Sequence, residues 1–176
     1  ETFSFKKKSN KNKILYYAVQ SDRGLPHKFI KTFGKKFFED LKSHKFYNSK
    51  YNWNDLHLKT LKVLKKFAIN NPKTTIIIKK KVGANYNPKD YLNLPKNVNI
   101  IFDGVGHQLL EDSKVVIAWN TTSIMEGIAA NRFILLPYYH FKKNNFKKEN
   151  KLILNLKNEN YGYSEKDFYK KLDHFI

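Results

Sequence analysis

The chain of 176 residues, 41% hydrophobic and 15% aromatic, is long enough for one packed domain and too apolar to be wholly disordered. It contains no cysteine, which excludes a disulfide scaffold, a cysteine-ligated zinc and a cysteine nucleophile. The formal net charge is +19, yet among 34 basic residues only Arg23 and Arg132 are arginines, and lysine is a hydrated point charge rather than a bidentate fork.

The lysines are spread along the chain, at Lys6 to Lys8, Lys35 and Lys36, Lys65 and Lys66, Lys79 to Lys81, Lys142 and Lys143, and Lys147 and Lys148. With abundant Asn, Ile, Phe and Tyr this reads as compositional bias on solvated faces, leaving peripheral contact with an anionic membrane as a secondary expectation. No apolar run reaches the ~20 residues that span a bilayer, and no signal peptide precedes the first strand-like segment. The chain begins at Glu1 rather than Met, which suggests a piece of a larger, two-domain protein.

In chain order, Ile14 to Val19 is a nearly continuous apolar run and predicts a buried strand, closed by the Gly24 and Pro26 loop. Phe29, Ile30, Phe33, Phe37, Phe38 and Leu41 predict one or two helices between His27 and Lys50, followed by a loop from Tyr47 to Trp53. Leu58, Leu61, Leu64 and Ala68 predict an amphipathic helix stopped at Asn70-Asn71-Pro72. Strands are predicted at Thr74 to Lys79, Val98 to Phe102, Lys114 to Trp119 and Phe133 to Leu136, with Leu152 to Leu154 as a last one. Between them lie a short helix at Gln108 to Glu111 and another from about Thr122 to Ala130. Ser164 is expected to cap a final helix ending near Phe175.

Buried strands alternating with helices predict an α/β fold: a Rossmann-like three-layer sandwich with a mostly parallel sheet, residues 1–176 forming one domain. Right-handed crossovers bring every strand's carboxyl end to one edge of that sheet, where ligands bind.

At that edge the segment Val115 to Pro137 is the richest in chemistry. A strand runs into Asn120-Thr121-Thr122-Ser123, which opens a helix carrying Glu126. Three hydroxyls beside unpaired backbone N–H groups suit a phosphate, and the Glu126 carboxylate suits a ribose diol. Ser123-x-x-Glu126 is equally a capping box, in which both side chains serve the helix itself. Asn131 is a stop that tolerates a left-handed backbone.

This segment resembles the C-terminal donor-binding domain of GT-B fold glycosyltransferases, in particular the capsule and surface-polysaccharide transferases with Kdo- and sialyltransferase-like members. Asn120 to Ser123 looks like their phosphate-binding turn, Glu126 like their ribose ligand, Ala129-Ala130-Asn131 like the helix end and Leu135-Leu136-Pro137 like the strand end. The likeness extends upstream through Asn70-Asn71-Pro72 and Val98 to Ile101, covering roughly residues 60 to 140. The chain departs from the family in having Lys79-Lys80-Lys81-Val82 where many members carry His-Pro, and Asn131 where Gly is usual. No segment resembles the acceptor-binding N-terminal domain that often supplies the catalytic base.

The resemblance implies metal-independent transfer from a nucleotide-activated sugar to a glycan or lipid-linked acceptor, in the cytoplasm or at the inner face of the membrane. Lys80 or Lys81 would assist at the donor phosphate, and Gly104, Val105 and His107 would lie near the base or sugar. Asp22 and Arg23 are first-loop candidates for the donor phosphate or the acceptor.

His27, His44, His57, His140 and His174 have no metal-ligand spacing, so no metal and no cofactor beyond the substrate nucleotide are expected. Neither a phosphate-binding Gly-Lys-Ser/Thr loop nor a Gly-x-Ser-x-Gly elbow is present. Two alternatives carry different chemistry. One is a nucleotide-sugar epimerase, which needs further acid and base side chains. The other is a basic module for nucleic acid or membrane, although Phe141 to Lys148 reads as an edge loop and no specific nucleic acid is expected.

Overall fold

The structure, a computed structural model, describes residues 12–19, 53–81, 86–102, 106–119, 121–139 and 156–176. The expectations placed on 20–52, on 140–155, and on Asn120, Gly104, Val105, Asp22 and Arg23 lie outside these residues.

Six strands form one sheet: β1 (Lys13–Tyr17), β2 (Thr75–Lys79), β3 (Val98–Ile101), β4 (Val115–Ile117), β5 (Phe133–Pro137) and β6 (Tyr161–Gly162). Their order is β3-β2-β1-β4-β5-β6, and every neighbouring pair is parallel. The α-helices are α1 (Trp53–Asn70), α2 (Gly106–Glu111), α3 (Ser123–Ala129) and α4 (Glu165–Phe175). The expected Rossmann-like three-layer architecture is what the chain adopts.

Alternation along the strands builds two cores. Ile14 and Tyr16, Ile76 and Ile78, Val115 and Ile117, and Leu135 face Leu61, Leu64, Phe67 and Ala68 of α1 and Phe168 and Leu172 of α4. Leu15, Ile77, Val116, Ile134 and Leu136 face Leu110 of α2 and Ile124 of α3. A parallel sheet needs cover on both faces, which is why these strands are apolar at successive positions instead of alternating with polar ones.

Local chemistry sets the element ends. The Asn97 side-chain amide donates to the carbonyls of Ala68 (3.0 Å), Asn71 (3.2 Å) and Thr74 (2.8 Å), tying the end of α1 to the approach to β2. Asn131 follows α3 with φ 55, the left-handed conformation expected of it. Ser164 caps α4, its hydroxyl accepting from the Asp167 N–H at 3.1 Å.

The strands end earlier than the apolar runs do. Ala18, Val19, Ala118 and Trp119 lie beyond β1 and β4, carrying the chain out over the carboxyl edge. The described sixth strand is Tyr161–Gly162, which no sequence signal anticipates. It depends on a long-range bond: the Asn160 side chain donates to the Ile134 carbonyl at 2.7 Å and accepts from the Lys157 N–H at 2.9 Å.

Much of the described positive charge is locally engaged. Lys13 pairs with Asp112, Lys59 with Asp55, Lys62 with Glu165 and Lys171 with Asp167. Lys65 donates to the carbonyls of Asp90 and Leu92, and Lys79 to that of Phe102. No helix among the described residues is long and apolar enough to cross a membrane.

Candidate functional site at the carboxyl edge of the sheet

β1 lies between β2 and β4, so the crossover leaving β1 runs one way and the connection entering β4 returns on the other side. That reversal is the switch point of a doubly wound sheet, where sheets of this topology have their crevice, at the carboxyl ends of β1 and β4. The first residues over the crevice come from Tyr17, from Trp119 and from the starts of α2 and α3, which touch each other.

Glu126 reaches this crevice. A carbon built at the Cβ position of Gly106 would lie 3.7 Å from Glu126 Oε2 and 3.5 Å from Tyr17 Oη. The residue is exposed, and the capping box that competes for it does not form. The N-cap is Thr122 with a helical backbone and no side-chain cap bond, and Ser123 is already the first helical residue. Glu126 is therefore not turned back onto its own helix.

The hydroxyl turn is more closed than its sequence suggests. The Ile124 N–H donates to the Thr121 carbonyl at 3.2 Å, the Met125 N–H to the Thr122 carbonyl at 2.9 Å, and the Ser123 N–H to Thr121 Oγ1 at 3.4 Å. An anion at this turn would meet the alcohols of Thr121, Thr122 and Ser123 more than a fan of unpaired amides. Beyond it, Trp119, Tyr138, Tyr161 and Tyr163 form an aromatic wall, with ring centroids 5.5 Å apart for Trp119 and Tyr138 and 5.3 Å for Tyr138 and Tyr161.

Tyr17 escaped notice in the sequence, where it reads as one more strand residue. Its hydroxyl is buried and has no hydrogen-bond partner. Burial, and secondly the Glu126 charge, push its pKa up to about 12; Ser123 lies near enough to oppose this slightly but not in bonding geometry. A second consecutive tyrosine closing β1 at the carboxyl edge of the sheet was the available signal.

Lys80 is not brought to this crevice. Its side chain, 6% exposed, packs on the opposite face of the sheet, with Nζ 4.0 Å from the Tyr91 ring centroid, 4.6 Å from that of Tyr86 and 4.7 Å from that of Phe102. Burial lowers its pKa, partly offset by Asp90, while the ring faces hold the ammonium by cation–π attraction. Lys81 is exposed, and its N–H donates to Tyr86 Oη at 3.1 Å. His107 is half-buried near the start of α2, beside Gly106.

Next to Lys80 lies a second group missed in the sequence. His57, fully buried, takes Tyr16 Oη at 2.9 Å on Nδ1 and Tyr91 Oη at 3.0 Å on Nε2. The Val19 N–H also donates to Tyr16 Oη, at 3.4 Å. Burial, with help from the Lys80 charge, holds His57 down to about 4, while burial raises Tyr16 and Tyr91 above the usual tyrosine range. Among the described residues, no group of three or more His, Asp and Glu side chains is placed to hold a metal ion.

The fold defines a Rossmann-like α/β domain whose topological switch point lies between β1 and β4. Comparison of the chain with family models, with curated proteins and with solved structures returned no match.

Proposed function

We propose that this domain binds the nucleotide-activated sugar of a glycosyltransferase acting in surface polysaccharide or glycan synthesis. The observation that carries the reading is Glu126 standing at the β1/β4 switch point, released from its helix and within reach of Tyr17. In this reading Glu126 accepts hydrogen bonds from the pentose. The alcohols of Thr121, Thr122 and Ser123 meet the phosphate, and donors aimed there stabilise the charge growing on the departing nucleotide. The half-buried rings of Trp119 and Tyr163, backed by Tyr138, offer faces for a base or sugar.

Transfer requires a base and an acceptor site from another domain, so the 176-residue chain binds nucleotide but turns over little nucleotide sugar. Lys80, caged on the other face, takes no part. The reading is tested by a thermal-shift screen against UDP, CDP and CMP, with their sugar conjugates added afterwards. At least one nucleotide raises the melting temperature of the wild type, and Glu126→Ala and Thr122→Val abolish the shift. A basic nucleic-acid module instead binds oligonucleotides with an affinity that collapses as salt rises. No protection by any nucleotide overturns the assignment.

A further inference from the structure

Buried hydroxyls without a hydrogen-bond partner are uncommon in folded proteins, because a lost water bond must be replaced. Tyr17 Oη is such a group, and it lies at the ligand edge of the sheet. Its surroundings are equally specific. Gly106 presents no side chain, and the volume a Cβ would take there touches both Tyr17 Oη, at 3.5 Å, and Glu126 Oε2, at 3.7 Å. Both contacts are of ordinary van der Waals length, so no side chain at position 106 separates the phenol from the carboxylate.

The two oxygens ask for different things. The phenol is protonated at neutral pH, since burial and Glu126 both oppose its ionisation, and it needs an acceptor. The carboxylate only accepts and needs a donor. A phosphate oxygen satisfies the phenol but is repelled by Glu126. An ammonium group satisfies Glu126 but leaves the phenol proton unpaired. An alcohol serves both from a single oxygen, accepting from Tyr17 and donating to Glu126.

We infer that Tyr17, Glu126 and the bare face of Gly106 form a hydroxyl-recognition site for an uncharged polyol segment of the ligand. The assignment rests on the nucleotide-sugar reading in one respect, that the polyol is taken to be the pentose. Tyr17 is then the residue that discriminates a ribose from its deoxy analogue, because a missing hydroxyl leaves the buried phenol and the carboxylate both unpaired.

The test is calorimetric titration of wild type, Tyr17→Phe and Gly106→Ala with UDP, CDP and CMP, with their 2′-deoxy and 3′-deoxy forms, and with uridine, cytidine and ribose. Wild type binds a ribonucleotide about tenfold or more tighter than one of its deoxy forms. Tyr17→Phe brings that ratio close to one while its melting temperature stays level or rises, since the orphan hydroxyl is gone. Gly106→Ala keeps its melting temperature and loses the ligand, its methyl group occupying the gap.

Nucleotide binding with a ribose preference that Tyr17→Phe leaves unchanged overturns the inference and spares the nucleotide reading. Binding of uncharged nucleosides or ribose as tightly as the nucleotides, dependent on Tyr17, supports the site and overturns the phosphate half of that reading. A lower melting temperature in Tyr17→Phe overturns the inference by showing the hydroxyl already partnered. Failure of every probe to bind overturns both.

Discussion

Tyr16 and Tyr17 are neighbours on one strand, chemically identical, and they face opposite layers of the sandwich. The Tyr16 hydroxyl is fully engaged, joined to His57 and to the Val19 N–H beneath α1. The Tyr17 hydroxyl is equally hidden from water and has no partner, beside Glu126 and the side-chain-free Gly106. A satisfied buried network rigidifies a core, whereas the unsatisfied hydroxyl at the carboxyl edge is the group the proposed site assigns to a ligand. Under the proposed reading, the contrast separates structural from functional polarity within two consecutive residues.

The strongest break of the Tyr16 side is His57→Leu, which leaves two buried tyrosine hydroxyls without their partner. We expect a loss of about 4 kcal/mol of unfolding free energy, read by denaturant titration. The same histidine gives the Tyr16 side a pH signature. His57 titrates at about 4 in the folded chain and near 6.5 when unfolded, so between those values only the unfolded chain binds the proton. Its contribution is present in full above pH 6.5 and is lost as pH falls towards 4, by roughly 3 kcal/mol. Unfolding titrations across that range, compared with His57→Leu, isolate the slope; equal slopes in both proteins would remove His57 as its cause.

The glycines extend the comparison. A Cβ at Gly162 would sit 2.5 Å from Phe168 Cδ2 and 2.7 Å from Phe168 Cβ, so Gly162→Ala forces β6 and α4 apart at a cost of about 2 kcal/mol. Gly106→Ala, whose methyl group meets nothing closer than 3.5 Å, leaves folding unchanged. The tyrosine pair is the most discriminating. Tyr16→Phe strips a partner from His57 and lowers stability by about 2 kcal/mol, while Tyr17→Phe removes an unpartnered hydroxyl and raises it by about 1 kcal/mol. Opposite signs for the same chemical change, measured side by side, would establish the difference between the two faces; matching signs would erase it.

Apolar periodicity was enough to locate the described helices and five of the six strands, because propensity and capping act over a few residues, as at Ser164 and Asn131. The order of elements also implied a parallel sheet, since alternating strands and helices can bury both faces of one only that way. What folding decided was who meets whom. The pattern Ser123-x-x-Glu126 permits a closed cap or an open carboxylate, and only the packing of α3 against α2 and β5 brought Glu126 to the gap above Tyr17. Lys80 and Lys81 were interchangeable candidates in the chain, yet strand geometry sent Lys80 beneath three rings on the far face. Side-chain direction at the edge of a sheet depends on contacts between segments remote in sequence, and these form only when the layers close.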